Sequence, residues 1–371
     1  MLPITISFLV SLITTFFIIK ISNNFKGMLD SELQSAQKMH THAVSRAGGI
    51  GIFIAAIAGT GITYWRYPST GMWIAMLILS GSVAFAIGLQ EDFTKQISPR
   101  RRFILTMISA GVGYYLLDGV ITRLDIPLLD DWLAKSWLAL PLTLIAVSGI
   151  VNAVNIIDGY NGLAGAVSIF ILLSLGYVAF QVGDAEIMTA SLIMVGAITG
   201  FFVWNYPNGL IFLGDGGAYF LGFVIGELAI LLVARNPAVS AWYALLVMIY
   251  PVFETFFSIY RKKFLRGMSP GIPDGIHLHM LVFKRLVRWT IESKDADMLI
   301  MRNSLTSPYL WVLSLAAVIP ATLFWKHTWV LIGFCVFFAA LYIWLYFHIV
   351  RFKIPRWMIF KWQTNKKHDV K

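Results

Sequence analysis

Apolar residues run along this chain in long stretches that short polar or basic segments separate. A helix needs about 20 apolar residues to cross the hydrocarbon core of a bilayer. On that criterion the pattern predicts about eleven membrane spans, near residues 3–21, 47–65, 72–90, 103–117, 137–153, 163–181, 187–204, 217–234, 241–258, 309–325 and 329–349. The first stretch follows no basic segment and exceeds a signal-peptide core, so we expect a retained helix. The predicted fold class is therefore an all-α, polytopic membrane bundle of about 10–11 helices.

The composition supports this fold class. Of the 371 residues, 58% are hydrophobic and 13% are charged, whereas soluble domains have about 45–50% apolar and about 25% charged residues. A soluble fold could not bury that much apolar surface, and a disordered chain would contain far less of it. The single cysteine, Cys335, lies in an apolar run, which excludes a disulfide framework and a thiolate metal site.

The chain is strongly basic, with 29 Lys and Arg against 19 Asp and Glu and a net charge of +10. If the connections between spans are numbered in order, the even-numbered ones hold five of these cations, namely Arg66, Arg123, Lys135, Arg235 and Lys326. The other 24 lie in the odd-numbered connections and the C-terminal tail, with Lys20 counted to the first connection because it stands at the end of the first span. Because Lys and Arg accumulate on the cytoplasmic side, the odd connections are predicted to be cytoplasmic. The N-terminus then lies outside and the C-terminus inside.

Other polar residues also gather on the predicted cytoplasmic side. A transporter or lipid flippase would place them near the membrane midplane, often in broken helices. Within the predicted spans only Glu227 and Glu254 are carboxylates, and Glu254 could neutralise neighbouring basic side chains. The distribution favours an enzyme at the membrane surface over a transporter.

The third connection begins with the adjacent carboxylates Glu91 and Asp92, followed by Lys95 and by the basic run 100–102. Carboxylates next to cations suit a phosphorylated substrate and its metal ion. A cytoplasmic helix end with topology-determining charges would look the same, so this motif alone leaves both interpretations open.

Around the fifth connection, Asn152, Asn155, Asp158 and Asn161 recur every three residues and interrupt two apolar spans. Residues three apart share one face of a helix. Polar side chains at membrane depth cost several kcal/mol unless they have partners, so they indicate a functional site. Hydrogen bonding between helices would explain one Asn but not the cluster.

In the seventh connection, Asp215 stands among Gly214, Gly216 and Gly217 just before an apolar span. Glycines let the backbone approach a phosphate closely, and a helix N-terminus favours anions. A glycine-rich turn is a weak signal alone, but it lies on the same predicted side as the other two motifs.

The ninth connection, about 259–308, carries His277 and His279 among many cations. Their alternation would let both rings point into one pocket. No third ligand that would suit Zn²⁺ stands nearby, so phosphate is the more plausible partner.

Together these segments resemble the polyprenyl-phosphate N-acetylhexosamine-1-phosphate transferases, over about residues 38–285. That superfamily contains the peptidoglycan pentapeptide translocase and the enzymes that initiate O-antigen, enterobacterial common antigen and teichoic acid synthesis. The resemblance implies catalytic roles for Glu91, Asp92, Lys95, Asp215, His277 and His279. It implies substrate contacts for Lys38, His40, Arg46, Arg102, Asn155, Asp158, Asn161, Asn205 and Phe212. It also makes Asp215 the ligand of a Mg²⁺ ion, with Mn²⁺ as an alternative.

The chain departs from the family pattern at three positions. Glu91 stands where the family usually has Asp, Met280 where a further His is common, and Gly275 where an Arg precedes the histidines. Asp274 and the spaced histidines resemble the sugar-phosphate initiators more than the pentapeptide translocase. We therefore expect a UDP-N-acetylhexosamine (UDP-HexNAc) donor, with UDP-MurNAc-pentapeptide as the alternative.

The implied reaction is attack of an undecaprenyl-phosphate oxygen on the β-phosphorus of the donor, with UMP leaving. A phosphate monoester is mostly dianionic at neutral pH, so Asp92 is expected to position groups or remove a proton, and Glu91 to support the site or a metal. A structural scaffold, a third interpretation, gives no reason for the glycines around Asp215.

The resemblance further implies one transferase domain over residues 1–371 in the bacterial inner membrane. Its site would form from cytoplasmic loops near 22–46, 91–102, 154–162, 205–216 and 259–308, beside a basic tail at 350–371. The expected partners are the nucleotide sugar, the lipid phosphate and the bilayer, without nucleic acid; a homodimer is left open.

Overall fold

The computed structural model describes residues 1–22, 44–95, 97–133, 135–269, 275–287 and 296–352. These residues form fourteen α-helices: α1 (Leu2–Ser22), α2 (Gly48–Arg66), α3 (Pro68–Thr94), α4 (Pro99–Leu117), α5 (Pro127–Leu133), α6 (Ser136–Ile157), α7 (Leu163–Val182), α8 (Ala185–Asn205), α9 (Gly214–Arg235), α10 (Ala241–Val247), α11 (Ile249–Tyr260), α12 (Leu278–Leu281), α13 (Ala296–Leu323) and α14 (Thr328–Val350). Short π-helical turns, Arg261–Leu265 and Val282–Leu286, follow α11 and α12. The predicted site residues Lys38 and His40, and Asp274, lie outside the described residues.

The predicted polytopic helical fold is confirmed. Among the described residues, nine helices are long and apolar enough to cross a membrane, and α10 and the segment Ile249–Leu265, bent by 75° at their junction, meet the same test only when taken together. The stretch 103–117 is also helical, within α4, but it fails the same test. Its first turn carries Arg100–Arg102, so the apolar part is shorter than the roughly 20 residues that a span requires.

Helix α4 nevertheless extends through the thickness of the bundle. At its start, Arg102 contacts Asn155, which bonds to Asp215 in the first turn of α9. Just beyond its end, Arg123 donates to the carbonyl of Val233 near the C-terminal end of α9. Helix α4 thus contacts residues near both ends of the membrane-spanning helix α9, and its own passage across the membrane stays a prediction.

Helix α9 forms the centre of the bundle and is buried along almost its whole length. Small residues allow the neighbouring backbones to approach it, as is common where lipid provides no hydrophobic drive for association. A Cβ atom on Gly88 of α3 would overlap the carbonyl of Asp215. This close contact brings the end of α3 against the start of α9, where the polar motifs meet.

In the peripheral helix α1 the buried residues are polar and the exposed residues are apolar, the reverse of a helix in a soluble protein. Its buried residues are Ser7, Ser11, Thr15 and Ser22, and large apolar side chains such as Phe17 are exposed. The small polar residues, spaced by four for the most part, make a narrow seam against α2 and α8. The apolar surface is therefore directed toward lipid.

The even-numbered connections meet at the end of the bundle away from the predicted site. Asp125 accepts hydrogen bonds from the Ser240 hydroxyl and the Ala241 amide, and Arg235 donates to Glu186. This grouping agrees with the alternation of basic residues from which two faces were predicted.

Candidate active site

The site is built around the first turn of α9. Gly214 adopts φ +76°, and a Cβ atom there would overlap the carbonyl oxygen of Arg46. Only glycine combines this left-handed backbone with such a close approach. The turn therefore fixes Asp215 at the helix N-terminus beside the residues before α2.

Asp92 caps α9 from the neighbouring helix α3. Its Oδ1 accepts the amide of Asp215 at 3.0 Å and its Oδ2 accepts the amide of Gly216 at 3.0 Å. Carboxylates stabilise helix N-termini because the free amides there carry partial positive charge. Since both oxygens are engaged with the backbone, this geometry favours the positioning role over proton removal.

Asn155 and Asp158, from the end of α6, complete the surroundings of Asp215. Asn155 Nδ2 donates to Asp215 Oδ1 at 2.5 Å. Burial, and next the negative charge of Asp215, raise the pKa of Asp158 to about 7, although Arg46 and the Gly214 amide act in the opposite direction. Like charges held together in a buried space favour a bound cation.

The donor set fits Mg²⁺. Among the residues that the structure describes, no three His, Cys, Asp or Glu side chains are arranged to enclose a metal ion. Mg²⁺ usually needs only one or two protein carboxylates, with water and substrate phosphates completing its shell. Asp215, whose second oxygen has no bond to Asn155, is the residue that would hold it.

Glu91 is bound by two other side chains. It is 7% exposed, accepts the Tyr219 hydroxyl at 2.7 Å and pairs with Arg102. Arg102 lines the large cavity of the site, and Glu91 is not among the lining residues. Lys95 ends α3 in an exposed position and does not line that cavity either.

The two histidines also line the cavity, and His279 lies beside Gly159 and Tyr160. Their rings stack with centroids 5.2 Å apart and planes 9° apart. His277 Nδ1 lies 3.0 Å from Glu254 Oε1, which also accepts the Leu278 amide at 2.9 Å. Because a carboxylate only accepts, His277 donates from Nδ1. Glu254 thus orients the histidine segment from α11.

The two remaining asparagines hold loops together. Asn205 accepts the Gly162 amide and donates to the Ile211 carbonyl, each at 2.7 Å. Asn161 donates to the Pro207 carbonyl at 3.1 Å and to Ser304 of α13 at 3.2 Å. Both residues line the cavity, but these bonds favour a supporting role over direct substrate contact.

Arg46 and Phe212 line the cavity where two segments pair through the backbone. The Phe212 amide donates to the Ser45 carbonyl at 2.8 Å, and the Gly48 amide donates to the Phe212 carbonyl at 3.0 Å. The first and seventh connections are therefore fixed to each other at the site, as their shared predicted face requires.

The cavity has a volume of about 1670 Å³ and two chemically different parts. Its polar end contains Arg46, Arg102, Asn155, Asp158, Asp215, His277 and His279. An apolar wall continues from it along α4, α6, α9, α10 and α11, with Phe103, Ile145, Ile150, Ile230, Leu245, Val252 and Phe256. The wall reaches Arg123 near the opposite end of the bundle, so one continuous space joins an anion-binding centre to a membrane-deep groove.

Two residues of this site were absent from the sequence-based set. Tyr219 lies four residues after Asp215, a spacing that puts both on one face of α9. Glu254 lies near the predicted cytoplasmic end of its span, and an intramembrane carboxylate is by default a functional candidate. The sequence therefore draws attention to both positions, but it does not show which residue the side chain of Tyr219 or Glu254 contacts.

The chain is similar to several known transferases. The model of glycosyl transferase family 4 matches residues 74–233, from α3 through most of α9. The chain is 29% identical over 75% of its length to a probable undecaprenyl-phosphate N-acetylglucosaminyl 1-phosphate transferase of Bacillus subtilis, covering 77% of that protein. It is 27% identical over 77% of its length to a decaprenyl-phosphate N-acetylglucosaminephosphotransferase of Mycolicibacterium smegmatis, covering 73%. A phospho-N-acetylmuramoyl-pentapeptide-transferase of Clostridium botulinum is 28% identical over 50% of the chain and 59% of its own length.

Proposed function

The chain belongs to glycosyl transferase family 4, and on this premise we propose that it transfers HexNAc-1-phosphate from UDP-HexNAc to undecaprenyl phosphate and releases UMP. The product would initiate a cell-envelope glycan such as O-antigen or teichoic acid. The observation that carries the proposal is the continuous cavity, which has a polar, cation-bearing end and an apolar wall that extends through the membrane. A soluble anionic donor and a long-chain lipid phosphate need these two environments side by side.

The donor diphosphate binds at the polar end. Arg46 and Arg102 supply guanidinium groups, which recognise phosphate in a bidentate geometry. Mg²⁺, held by Asp215, supplies neutralisation of phosphate charge when bound. Asp92 keeps the α9 N-terminus aimed at this point through its two backbone bonds.

The acceptor chain lies along the apolar wall, with its phosphate at the polar end. An acceptor oxygen forms the new bond to the β-phosphorus, and the bond from that phosphorus to the UMP oxygen breaks, with the electron pair leaving on UMP. Because the acceptor is mostly dianionic at neutral pH, its oxygen needs no strong base. His277 and His279, which also line the cavity, stabilise the charge that spreads over the transferred group.

We place the polar end at the cytoplasmic face of the bacterial inner membrane. Cations from the described parts of the odd-numbered connections, Arg46 and Arg102, line that end, where they attract anionic substrates. The bias of Lys and Arg toward these connections in the sequence sets the topology. The N-terminus is then outside and the C-terminus inside. The whole chain acts as one transferase domain in this arrangement.

A pentapeptide transferase is the second candidate, because relatives of that kind also match the chain. We favour UDP-HexNAc because the two N-acetylglucosamine-phosphate transferases match about three quarters of the chain, against half for the pentapeptide transferase. The spaced histidines at 277 and 279 point the same way.

The test uses the full chain in nanodiscs with undecaprenyl phosphate, Mg²⁺ and one of UDP-GlcNAc, UDP-GalNAc or UDP-MurNAc-pentapeptide. We expect UMP and a lipid-linked sugar from a UDP-HexNAc. Product only from the pentapeptide donor would support the second candidate, and no product from any donor would contradict the transferase. Asp131→Asn, an exposed carboxylate of α5, is the control variant and should leave turnover unchanged.

A further inference from the structure

We propose that Glu91 and Tyr219 form a positioning pair that holds the Arg102 guanidinium at the cavity wall, where it binds the diphosphate of the nucleotide-sugar donor. The proposal rests on the transfer reaction above and deepens it. It gives Glu91 a task other than metal binding, and it assigns a function to Tyr219.

Glu91 is placed to hold Arg102 and not to reach a ligand. Its Oε2 accepts the Tyr219 hydroxyl at 2.7 Å, and its Oε1 accepts from Arg102 Nη2. The residue is buried and does not line the cavity, whereas Arg102 does. The carboxylate therefore acts on the substrate through the guanidinium.

Tyr219 contacts Arg102 in a second way. Its fully buried ring lies below the guanidinium, with Arg102 Cζ 5.8 Å from the ring centroid. A cation over an aromatic face is attracted by the electron density of the ring. The hydroxyl of Tyr219 and the face of its ring thus act on the same ion pair.

The other edge of Arg102 is directed toward the metal-binding residue. Nη1 lies 3.4 Å from the Asn155 side-chain oxygen, and the amide nitrogen of that Asn bonds to Asp215. Contacts from α3, α6 and α9 therefore define one position of the guanidinium. A cation fixed before the ligand arrives loses less conformational entropy on binding, which increases affinity for the diphosphate.

The length of the Glu91 side chain is part of this arrangement. Glu91 extends from α3 to Tyr219 on α9 and to Arg102 on α4 at once. An Asp at this position, one methylene shorter, would not reach both partners without movement of the helices. This accounts for Glu at a position where Asp was expected.

The experiment measures steady-state UMP release by the full chain in nanodiscs, varying UDP-HexNAc and undecaprenyl phosphate separately. The variants are Tyr219→Phe, Glu91→Gln, the double variant and Tyr219→Phe in an Arg102→Ala background. Each single change should raise the donor KM about tenfold, which is typical of one hydrogen bond to a charged group. The acceptor KM should stay as in the wild type.

The double variant should be no worse than the more impaired single variant, and Tyr219→Phe should add little once Arg102 is Ala. Tyr243→Phe is the matched control, since that buried hydroxyl bonds to Ser174 at 2.9 Å away from the cavity. Unchanged donor KM, additive losses, or an equal loss in the control would overturn the proposal. If the Glu91→Gln variant does not fold, the proposal is tested by the effect of Tyr219→Phe on donor KM in the wild type and in the Arg102→Ala background. A wild-type protein without turnover of any UDP-sugar would contradict the reaction itself.

Discussion

Asn155 Nδ2 and Asp215 Oδ1 lie 2.5 Å apart, although 60 positions separate the two residues in the chain. The bond joins the end of α6 to the start of α9 and fixes the rotation of the Asp215 carboxylate. One oxygen is held by the amide, and the other is available to a cation beside substrate phosphates. The geometry of the site therefore depends on a contact between two motifs, each of which is ambiguous by itself.

Asp215→Asn should reduce transfer by roughly 100-fold or more, because the neutral amide cannot neutralise and hold a divalent cation at the diphosphate. The protein should still insert and keep its melting temperature, since the side chain has the same shape. UMP release against Mg²⁺ concentration checks this. Near-normal Mg²⁺-dependent release would contradict the assignment of Asp215 as the Mg²⁺ ligand. Asp131→Asn is the control.

Gly214→Ala should destabilise the protein and abolish activity. The new methyl group would overlap the Arg46 carbonyl in a left-handed backbone, at φ +76°. Gly183→Ala is a matched control because its φ is also positive, at +79°, but nothing lies within 4 Å of the added Cβ. The control should cost only about 1 kcal/mol of backbone strain. Equal melting temperatures for the two variants would refute the close-contact argument.

Glu254→Gln should lower kcat by about 10- to 100-fold, the range typical of a hydrogen bond to a charged group. The amide still accepts from Leu278, so the fold should persist, but the carboxylate that orients His277 is replaced by a neutral group. Single-turnover UMP release measures the effect. Glu186→Gln, which breaks the Arg235 pair at the other end of the bundle, should leave the rate unchanged. A larger loss of rate in Glu186→Gln than in Glu254→Gln would argue against a role of His277 in the reaction.

Stability at acid pH should depend on Asp125. Burial works against the charged form, but bonds from Ser240, the Ala241 amide and Arg123 outweigh it, so the pKa of Asp125 lies below its usual value. A carboxyl with a lowered folded pKa stabilises above its unfolded pKa of about 3.9. That contribution is lost as the pH falls through the folded pKa.

Thermal unfolding of the chain in detergent between pH 7 and pH 3 tests this dependence. The wild type should keep a constant contribution from Asp125 down to about pH 4 and lose it below. Asp125→Asn should be less stable at neutral pH and should show a shallower fall in acid. Parallel curves for wild type and variant would exclude Asp125 as the group responsible.

Much of the fold could be predicted because a bilayer imposes a simple length requirement on apolar helices. Apolar length supports a span least well at α4, because Arg100–Arg102 shorten its apolar part. Its passage through the bundle became clear only from the contacts of Arg102 and Arg123 at opposite ends of α9. Hydropathy describes a helix in isolation, whereas the contacts of α4 with its neighbours are made by small buried residues, Thr106, Ser109, Ala110 and Gly113, while Ile104 and Ile108 are exposed.

The candidate site was predictable as a set of segments but not as a geometry. The motifs around Asp92, Asn155, Asp215 and His277 do converge on one cavity. The direction of each side chain was not available, so Glu91 looked like a partner of Asp92 although its contacts are Tyr219 and Arg102. The sequence also does not show that Asn161 and Asn205 form hydrogen bonds with loop backbone.

The sequence by itself determined the membrane spans, the two-sided distribution of charge and the residue types that gather at one side. These properties depend on composition and spacing, which the chain carries before it folds. Tertiary structure decided that Asp92 caps α9, that Glu254 orients His277 and that Glu91 holds Arg102. Such roles depend on which helices approach within hydrogen-bond distance, and that distance is set by packing between segments far apart in the chain.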